Sequence, residues 1–142
     1  MITAESSAEN KVRLELPDIA SRLKNTPLPD VDAVVGIATG GVAFASMVAF
    51  WLELPLYIMN VNYRNDSNRP QRATPELLTP FTLDKSQRLL LVDDVSVTGQ
   101  TLEFAKSLLS THTITTFVLK GKADIVLYPE VRSCILLPWR DV

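Results

Sequence analysis

The sequence contains one cysteine and one histidine among 142 residues, so it lacks the side chains that build disulfides and zinc sites. A single cysteine permits no internal disulfide, and one histidine leaves no histidine–cysteine cluster for zinc. A basic excess is also missing, because the formal net charge is −2 at pH 7, and this argues against general binding of nucleic acid. Residues 1–10 have neither the basic end nor the apolar block of a signal peptide. We therefore expect a protein of the reducing cytoplasm.

Charge is missing from one long stretch, which raises the question of a membrane segment. Residues 33–52 contain no charged side chain and approach the length of about 20 residues that spans a bilayer. However, Thr39, Gly40 and Gly41 interrupt the stretch, acidic residues flank it, and no basic cluster sets an orientation. We expect a buried strand, a glycine turn and a core-facing helix here, and no membrane attachment.

The remaining composition predicts one globular domain with alternating strands and helices. Apolar residues make up 46% and charged residues 21% of the chain, as in ordinary soluble proteins. No repeat or linker is present, so we expect a single domain over residues 1–142. Strands are predicted at 31–38, 56–63, 89–92, 113–119 and 123–128, helices at 17–24, 42–52 and 102–109, and a turn at 120–122, with residues 135–139 as the last segment. This alternation predicts an α/β fold with an open, mostly parallel twisted sheet flanked by helices.

The most informative stretch runs from Leu89 to Thr101. Leu89 to Val92 has the length and uniform apolarity of a buried parallel strand, and Asp93 and Asp94 follow where such a strand ends. The residues Thr98 to Thr101 then open a helical pattern. A phosphate fits such a strand-to-helix turn, because free backbone N–H groups and the positive helix end face it. Carboxylates beside a phosphate hold ribose hydroxyls or hydrated Mg²⁺. The alternative is an ordinary turn with a satisfied aspartate pair.

The segment Val92 to Thr101, VDDVSVTGQT, resembles the binding signature for phosphoribosyl pyrophosphate (PRPP) in type I phosphoribosyltransferases. That signature is an apolar strand, two acids, three variable residues and then Thr-Gly-x-Thr. The resemblance implies an Mg²⁺-dependent enzyme that moves ribose 5-phosphate from PRPP to a nitrogenous base, in a sheet with a small hood or C-terminal segment. It implies that Asp93 and Asp94 are catalytic and hold the ribose or the metal. The residues implied at the 5′-phosphate are Val97 (through its backbone), Thr98, Gly99, Gln100 and Thr101.

Two more segments resemble the xanthine–guanine and hypoxanthine members of the family at the pyrophosphate. Val34 to Gly41 is similar to the family's pyrophosphate loop, and the resemblance implies that Thr39, Gly40 and Gly41 bind the diphosphate. Residues 63–69 resemble the start of a mobile loop, in which Arg69 is the catalytic candidate for contacting pyrophosphate. Thr39 stands where such loops often carry a basic residue, so one positive charge is missing.

The base-binding half resembles the same members less completely. A lysine before the last segment reads the 6-oxo group of the purine in these relatives, and Lys120 or Lys122 is the candidate. Cys134 aligns with the aromatic residue that stacks on the base, so stacking is lost unless Tyr128 or Trp139 supplies it. Val97 replaces an aspartate that handles the proton on N7, although other branches of the family also lack that aspartate. Loss of one general base costs about 10²–10⁴ in rate.

Two functions therefore remain open from the sequence. The first is a phosphoribosyltransferase whose substrates are PRPP and a nucleobase, with purine salvage as the expected role. The second is a regulatory protein that binds PRPP or a nucleotide without efficient turnover. The resemblance also implies a homodimer or tetramer.

Overall fold

A computed structural model gives the structure of the protein and describes residues 11–62, 76–77, 83 and 85–140. The strands are β1 (Val12–Arg13), β2 (Ala33–Ala38), β3 (Leu56–Asn62), β4 (Glu76–Leu77), β5 (Arg88–Ser96), β6 (Thr113–Gly121), β7 (Ile125–Val126) and β8 (Ile135–Leu136). The helices are α1 (Leu16–Asn25), α2 (Val42–Leu52) and α3 (Gln100–Leu108). The predicted alternation of strands and helices is confirmed.

Six of the strands form one sheet in the order β4-β3-β2-β5-β6-β7. All neighbouring strands in it run parallel except β4, which pairs antiparallel with β3 at the edge. Parallel neighbours need a crossover connection, and α2 and α3 lie in the connections from β2 to β3 and from β5 to β6. The fold is therefore the open, mostly parallel α/β sheet that the sequence predicts.

The central strands are apolar throughout because both faces of the sheet are covered. In β5, Leu90 and Val92 belong to the core cluster that includes α1 and α2, whereas Leu89 and Leu91 belong to the cluster that includes α3. All four side chains are fully buried. A strand buried on both faces has no polar side to show, which explains its continuous apolar pattern.

The charge-free stretch at residues 33–52 forms β2, a turn and α2, as predicted. Four side chains of α2 are buried against the sheet, which are Phe44, Ala45, Val48 and Ala49. Within the residues that the structure describes, no helix is both long and apolar enough to cross a membrane.

The two ends of the described chain meet in a second, two-stranded sheet. Val12 of β1 pairs in parallel with Ile135 of β8. Nearby, the hydroxyl of the buried Tyr128 donates a hydrogen bond to the carboxylate of Asp18 on α1 over 2.5 Å. The C-terminal segment is thereby attached to α1 beside the main sheet, where the fold prediction included a small additional segment.

Two strands extend further than the sequence predicts. β5 continues through Asp93 and Asp94 to Ser96, and β6 continues to Gly121, where a turn was predicted. The extensions pair with each other, since Val95 lies opposite Lys120 and Ser96 opposite Gly121. Each strand therefore supplies the partner that keeps the other extended, and local sequence does not reveal this.

Candidate functional site

The candidate site lies at the carboxyl ends of β2 and β5, which are adjacent in the sheet. The chain leaves β2 toward β3 on one side and leaves β5 toward β6 on the other. In open α/β sheets, ligands bind at such a switch point, because the diverging connections leave a crevice beyond the strand ends. The glycine turn follows β2, and the acidic pair lies near the end of β5. The topology therefore brings together two segments that the sequence places about fifty residues apart.

The glycine turn lies directly against the two aspartates. A Cβ atom added at Gly40 would lie 2.7 Å from Oδ2 of Asp94, and one added at Gly41 would lie 2.9 Å from Cα of Asp93. Contacts this short leave no room for a side chain at either position. The amide of Gly41 donates to the carbonyl of Ile37 over 2.8 Å, and the peptide bond between Ala38 and Thr39 is cis. The lack of a side chain at Gly40 and Gly41 therefore allows the turn to lie against the two aspartates.

The aspartate pair places two adjacent acidic side chains in a nearly buried part of the site. Asp93 is 8% exposed and Asp94 is 6% exposed. Oδ1 of Asp93 accepts a hydrogen bond from the amide of Asp94 over 2.8 Å, and Oδ1 of Asp94 accepts one from the amide of Val95 over 2.6 Å. Burial raises the pKa of Asp93 well above its usual value, and the neighbouring negative charge of Asp94 raises it further. A cation or a pair of hydroxyl donors at this point would relieve that repulsion.

The raised pKa of Asp93 predicts an unusual stability profile. A carboxyl whose pKa is raised by folding contributes stability at low pH, and that contribution is lost as pH rises through the folded-state pKa. Asparagine imitates the protonated form, so we expect Asp93→Asn to be at least as stable as the unchanged protein at pH 7. Urea denaturation at several pH values measures this difference, which should shrink toward pH 4. The prediction is contradicted if the free energy of unfolding of Asp93→Asn falls relative to that of the unchanged protein when the pH rises from 4 to 7.

Arg140 is a site residue that the sequence does not reveal. Its guanidinium donates to Oδ2 of Asp94 over 3.2 Å, and its side chain is 55% exposed. The positive charge of Arg140 acts on Asp93 in the opposite direction to burial, because it lowers the pKa of that carboxyl. Arg140 follows Pro138 and Trp139 and is not part of a recognisable sequence motif. Only the folded C-terminal segment brings it to the acidic pair.

We expect Arg140→Met to move the titration midpoint of Asp93 upward, because the variant removes the cation that opposes the effects of burial and Asp94. Carboxyl ¹³C NMR of aspartate-labelled protein follows that midpoint directly. Arg140→Lys is the matched control, since it keeps the charge and should preserve most of the original midpoint. An unchanged or lowered midpoint in Arg140→Met would show that the contact has no electrostatic effect.

The predicted phosphate-binding residues lie at the N-terminus of α3. Gly99 caps the helix in the left-handed conformation with φ of 90°, and the amide of Gln100 donates to Oγ1 of Thr98 over 3.2 Å. Val97 is 63% exposed, and Thr101 lies in the first turn of the helix. First-turn amides have no partner within a helix, so this end can receive an anion.

Of the residues predicted to bind a base, only Lys120 lines a cavity. Lys120 lines a cavity of about 320 Å³ at the end of β6, and the adjacent Lys122 is exposed with its amide bonded to the carbonyl of Ser96. Cys134 is exposed, is not among the lining residues of this cavity, and accepts a hydrogen bond from the amide of Val12 through its carbonyl. The role of Cys134 stays a prediction, and Arg69 lies outside the described residues.

Neither candidate aromatic is an exposed stacking surface. Tyr128 lines the same cavity but is 2% exposed, and the guanidinium of Arg22 lies 3.9 Å from the centre of its ring. Trp139 is partly buried and packs against the core.

These features define a class of protein: an open α/β sheet with a glycine turn, an acidic pair and a helix N-terminus gathered at its switch point. The chain belongs to the phosphoribosyl transferase domain family, whose model matches residues 14–136. This confirms the type I phosphoribosyltransferase assignment.

Curated relatives include an orotate phosphoribosyltransferase and transcriptional regulators. The chain is 34% identical to the bifunctional protein PyrR of Ralstonia nicotianae over 110 residues. The aligned segment covers 74% of this chain and 62% of that protein. Over 90 residues it is 29% identical to the transcriptional regulator GfcR of Methanocella arvoryzae, with 62% and 44% covered. The chain spans about half the length of the curated relatives it matches.

Solved structures of similar fold cover nearly the whole chain. Purine phosphoribosyltransferase from Pyrococcus horikoshii superposes with a TM-score of 0.67 at 23% identity, over 93% of this chain and 95% of that one. A hypothetical protein from Neisseria gonorrhoeae with bound ppGpp gives a TM-score of 0.66 at 25% identity, over 93% and 91%. The similarity to the Pyrococcus horikoshii structure shows the fold alone and no shared function.

Proposed function

We propose that the protein is a phosphoribosyltransferase that transfers ribose 5-phosphate from PRPP to a nitrogenous base, with a purine as the expected acceptor, and releases pyrophosphate. The observation that carries this proposal is the contact of the glycine turn with the acidic pair. Cβ positions at Gly40 and Gly41 would fall within 2.9 Å of Asp94 and Asp93, so diphosphate on the turn amides would lie beside carboxylates that bind the sugar. We also propose one domain over residues 1–142, acting as a homodimer or tetramer.

In this proposal, each part of PRPP has its own group of residues. The 5′-phosphate binds the first turn of α3, with the backbone of Val97 and with Thr98, Gly99, Gln100 and Thr101. The diphosphate binds Thr39, Gly40 and Gly41, with Arg69 as the expected additional contact. Asp93 and Asp94 hold the ribose hydroxyls and stabilise positive charge on the sugar.

The reaction exchanges one bond at C1 of the ribose for another. The bond from C1 to the pyrophosphate oxygen breaks and its electron pair leaves with pyrophosphate, while a ring nitrogen of the base forms the new bond to C1 and the base gives up its N–H proton to solvent. Positive charge develops on the sugar as the bond breaks, so buried carboxylates placed beforehand stabilise the transition state more than the ground state. Asp93 and Asp94 are the described residues suited to this, because both are nearly buried and adjacent.

The donor set also fits Mg²⁺, the metal that the family resemblance implies. Two carboxylates are present, and no group of three or more acidic, histidine or cysteine side chains that could hold a metal occurs among the described residues. Mg²⁺ suits such a sparse site, because it keeps several waters and takes other ligands from substrate phosphates. When bound with PRPP, the ion neutralises charge that develops on the pyrophosphate leaving group.

A regulatory protein that binds PRPP or a nucleotide without efficient turnover is the second candidate. Val97 supports it, because this exposed apolar side chain stands where purine relatives place a proton acceptor. The GfcR relative is also named a transcriptional regulator.

One experiment separates the two candidates. The protein is incubated with PRPP, Mg²⁺ and each of adenine, hypoxanthine, guanine, xanthine, uracil and orotate, while pyrophosphate release is measured. Calorimetry measures PRPP binding in parallel. Release with at least one base supports the transferase, and tight PRPP binding with no release supports the regulator. Failure to bind PRPP would reject the transferase and would leave only a regulator that binds a nucleotide.

A further inference from the structure

The carboxylate of Asp94 is covered in this structure, although the proposed function requires a ligand to reach it. Asp94 is only 6% exposed. Its Oδ1 accepts a hydrogen bond from the amide of Val95 over 2.6 Å. Its Oδ2 lies 2.7 Å from the Cβ position of Gly40 and 3.2 Å from the guanidinium of Arg140. A ribose hydroxyl or a hydrated metal ion therefore reaches this carboxylate only if one of the three neighbours moves.

Arg140 is the neighbour best suited to move. Val95 and Gly40 lie against Asp94 with the backbone of a central strand and of a tight turn, whereas Arg140 contributes a long side chain. That side chain is 55% exposed, and Asp94 is its only hydrogen-bond or ion-pair partner among the described residues. An ion pair with an exposed partner contributes little net stability, because water and salt compete for the exposed charge. A ligand can therefore exchange with the guanidinium.

The residue before Arg140 is poorly satisfied in the same arrangement. The indole Nε1 of Trp139 is buried and has no hydrogen-bond partner among the residues that the structure describes. A buried donor without a partner costs free energy of the same order as a charged hydrogen bond contributes. The cost at Trp139 and the gain at Arg140 therefore nearly offset each other. Loss of the contact with Asp94 removes what holds the indole in this position.

We propose that Arg140 is a displaceable cover over Asp94. A ligand that binds Asp94 takes the place of the guanidinium, and residues 138–140 then rearrange so that the indole N–H of Trp139 meets water. This inference rests on the proposed function, since it takes Asp94 as a residue that holds the sugar or the metal. It goes beyond that function, because it couples occupancy of the site to the conformation of the C-terminal segment.

Tryptophan fluorescence tests the inference, because the chain contains only two tryptophans. Trp51 lies on α2 and is 45% exposed, and the variant Trp51→Phe leaves Trp139 as the single emitter. We expect saturating PRPP with Mg²⁺ to shift the emission of Trp139 to longer wavelength, because the indole becomes exposed to water. In the same background, Arg140→Ala should show this shift without ligand and should lose most of the further response to PRPP.

Two more variants in that background are the controls. Arg132→Ala removes an equal charge from an exposed position before β8, and it should leave both the emission and its response to PRPP unchanged. Arg140→Lys keeps the positive charge and a long side chain, so its emission without ligand should stay near the original wavelength.

Calorimetry of PRPP binding on the same samples separates failure of this inference from failure of the proposed function. Binding of PRPP without a shift in emission would overturn the inference and leave the transferase standing, and so would an equal ligand-induced shift in Arg140→Ala. Absence of PRPP binding would reject both the transferase and the exchange at Asp94. A shift that depends on Arg140, without pyrophosphate release with any base, would support the exchange and count against the transferase.

Discussion

The Asp94→Asn variant is expected to release pyrophosphate from Mg²⁺ and PRPP at least about 100-fold more slowly than the unchanged protein, while it keeps its fold. Asparagine has the same shape, so its Oδ1 can still accept the hydrogen bond from the amide of Val95. The charge is lost, however, and an amide nitrogen takes the place of Oδ2, which receives the guanidinium of Arg140. Steady-state rates and the affinity for PRPP with Mg²⁺ measure the effect.

The matched control for this prediction is Glu103→Gln. Glu103 lies in the first turn of α3 and is 75% exposed, so its variant also removes one negative charge close to the helix end. Circular dichroism and thermal unfolding accompany both variants. Near-normal activity of folded Asp94→Asn, or an equal loss in Glu103→Gln, would show that Asp94 does not hold the sugar or the metal.

The elements around this site could be predicted because their patterns are local. The apolar run of β5, its two acids and the start of α3 lie within thirteen residues, and α2 begins and ends where its sequence pattern predicts. The end of β5 could not be predicted in the same way. Its last residues stay extended because β6 pairs beside them. The sequence of one strand does not predict which distant strand pairs with it.

The charges of the site depend on contacts that local spacing does not encode. Arg140 reaches Asp94 from 46 positions away, and Glu130 reaches Arg22 from 108 positions away. The sequence indicates Lys120 as a candidate for binding the base through resemblance, whereas the cavity that Lys120 lines at the end of β6 is seen only in the structure.

An acid beside the charge-free stretch shows the same limit. From the sequence, Asp32 is only one of the acidic residues that flank this stretch and argue against a membrane segment. In the structure its carboxylate receives the guanidinium and the amide of Arg88, and these bonds lower its pKa to about 2. The pair joins the segment before β2 to the start of β5, so it supports the alignment of the two strands that carry the site.

The largest expected effect on stability is that of Gly121→Ala, at the end of β6. Gly121 has φ of 118°, and a Cβ atom there would lie 2.0 Å from the carbonyl oxygen of Ser96. The backbone conformation alone costs an alanine about 1–3 kcal/mol, and the contact is with backbone, which cannot rotate away. We expect a total loss of about 3 kcal/mol or more in the free energy of unfolding, measured by urea denaturation.

Gly99→Ala separates the cost of the backbone conformation from the cost of the steric contact, because Gly99 has a positive φ but a Cβ atom there would contact nothing. Gly99 has φ of 90°, and nothing lies within 4 Å of a Cβ atom placed there. It should therefore lose only about 1–2 kcal/mol, the cost of the left-handed conformation. Equal losses in the two variants would show that φ decides both and that β5 and β6 separate without penalty. A larger loss in Gly121→Ala would show that the ends of β5 and β6 approach too closely to admit a side chain, in agreement with the hydrogen bond from the amide of Lys122 to the carbonyl of Ser96.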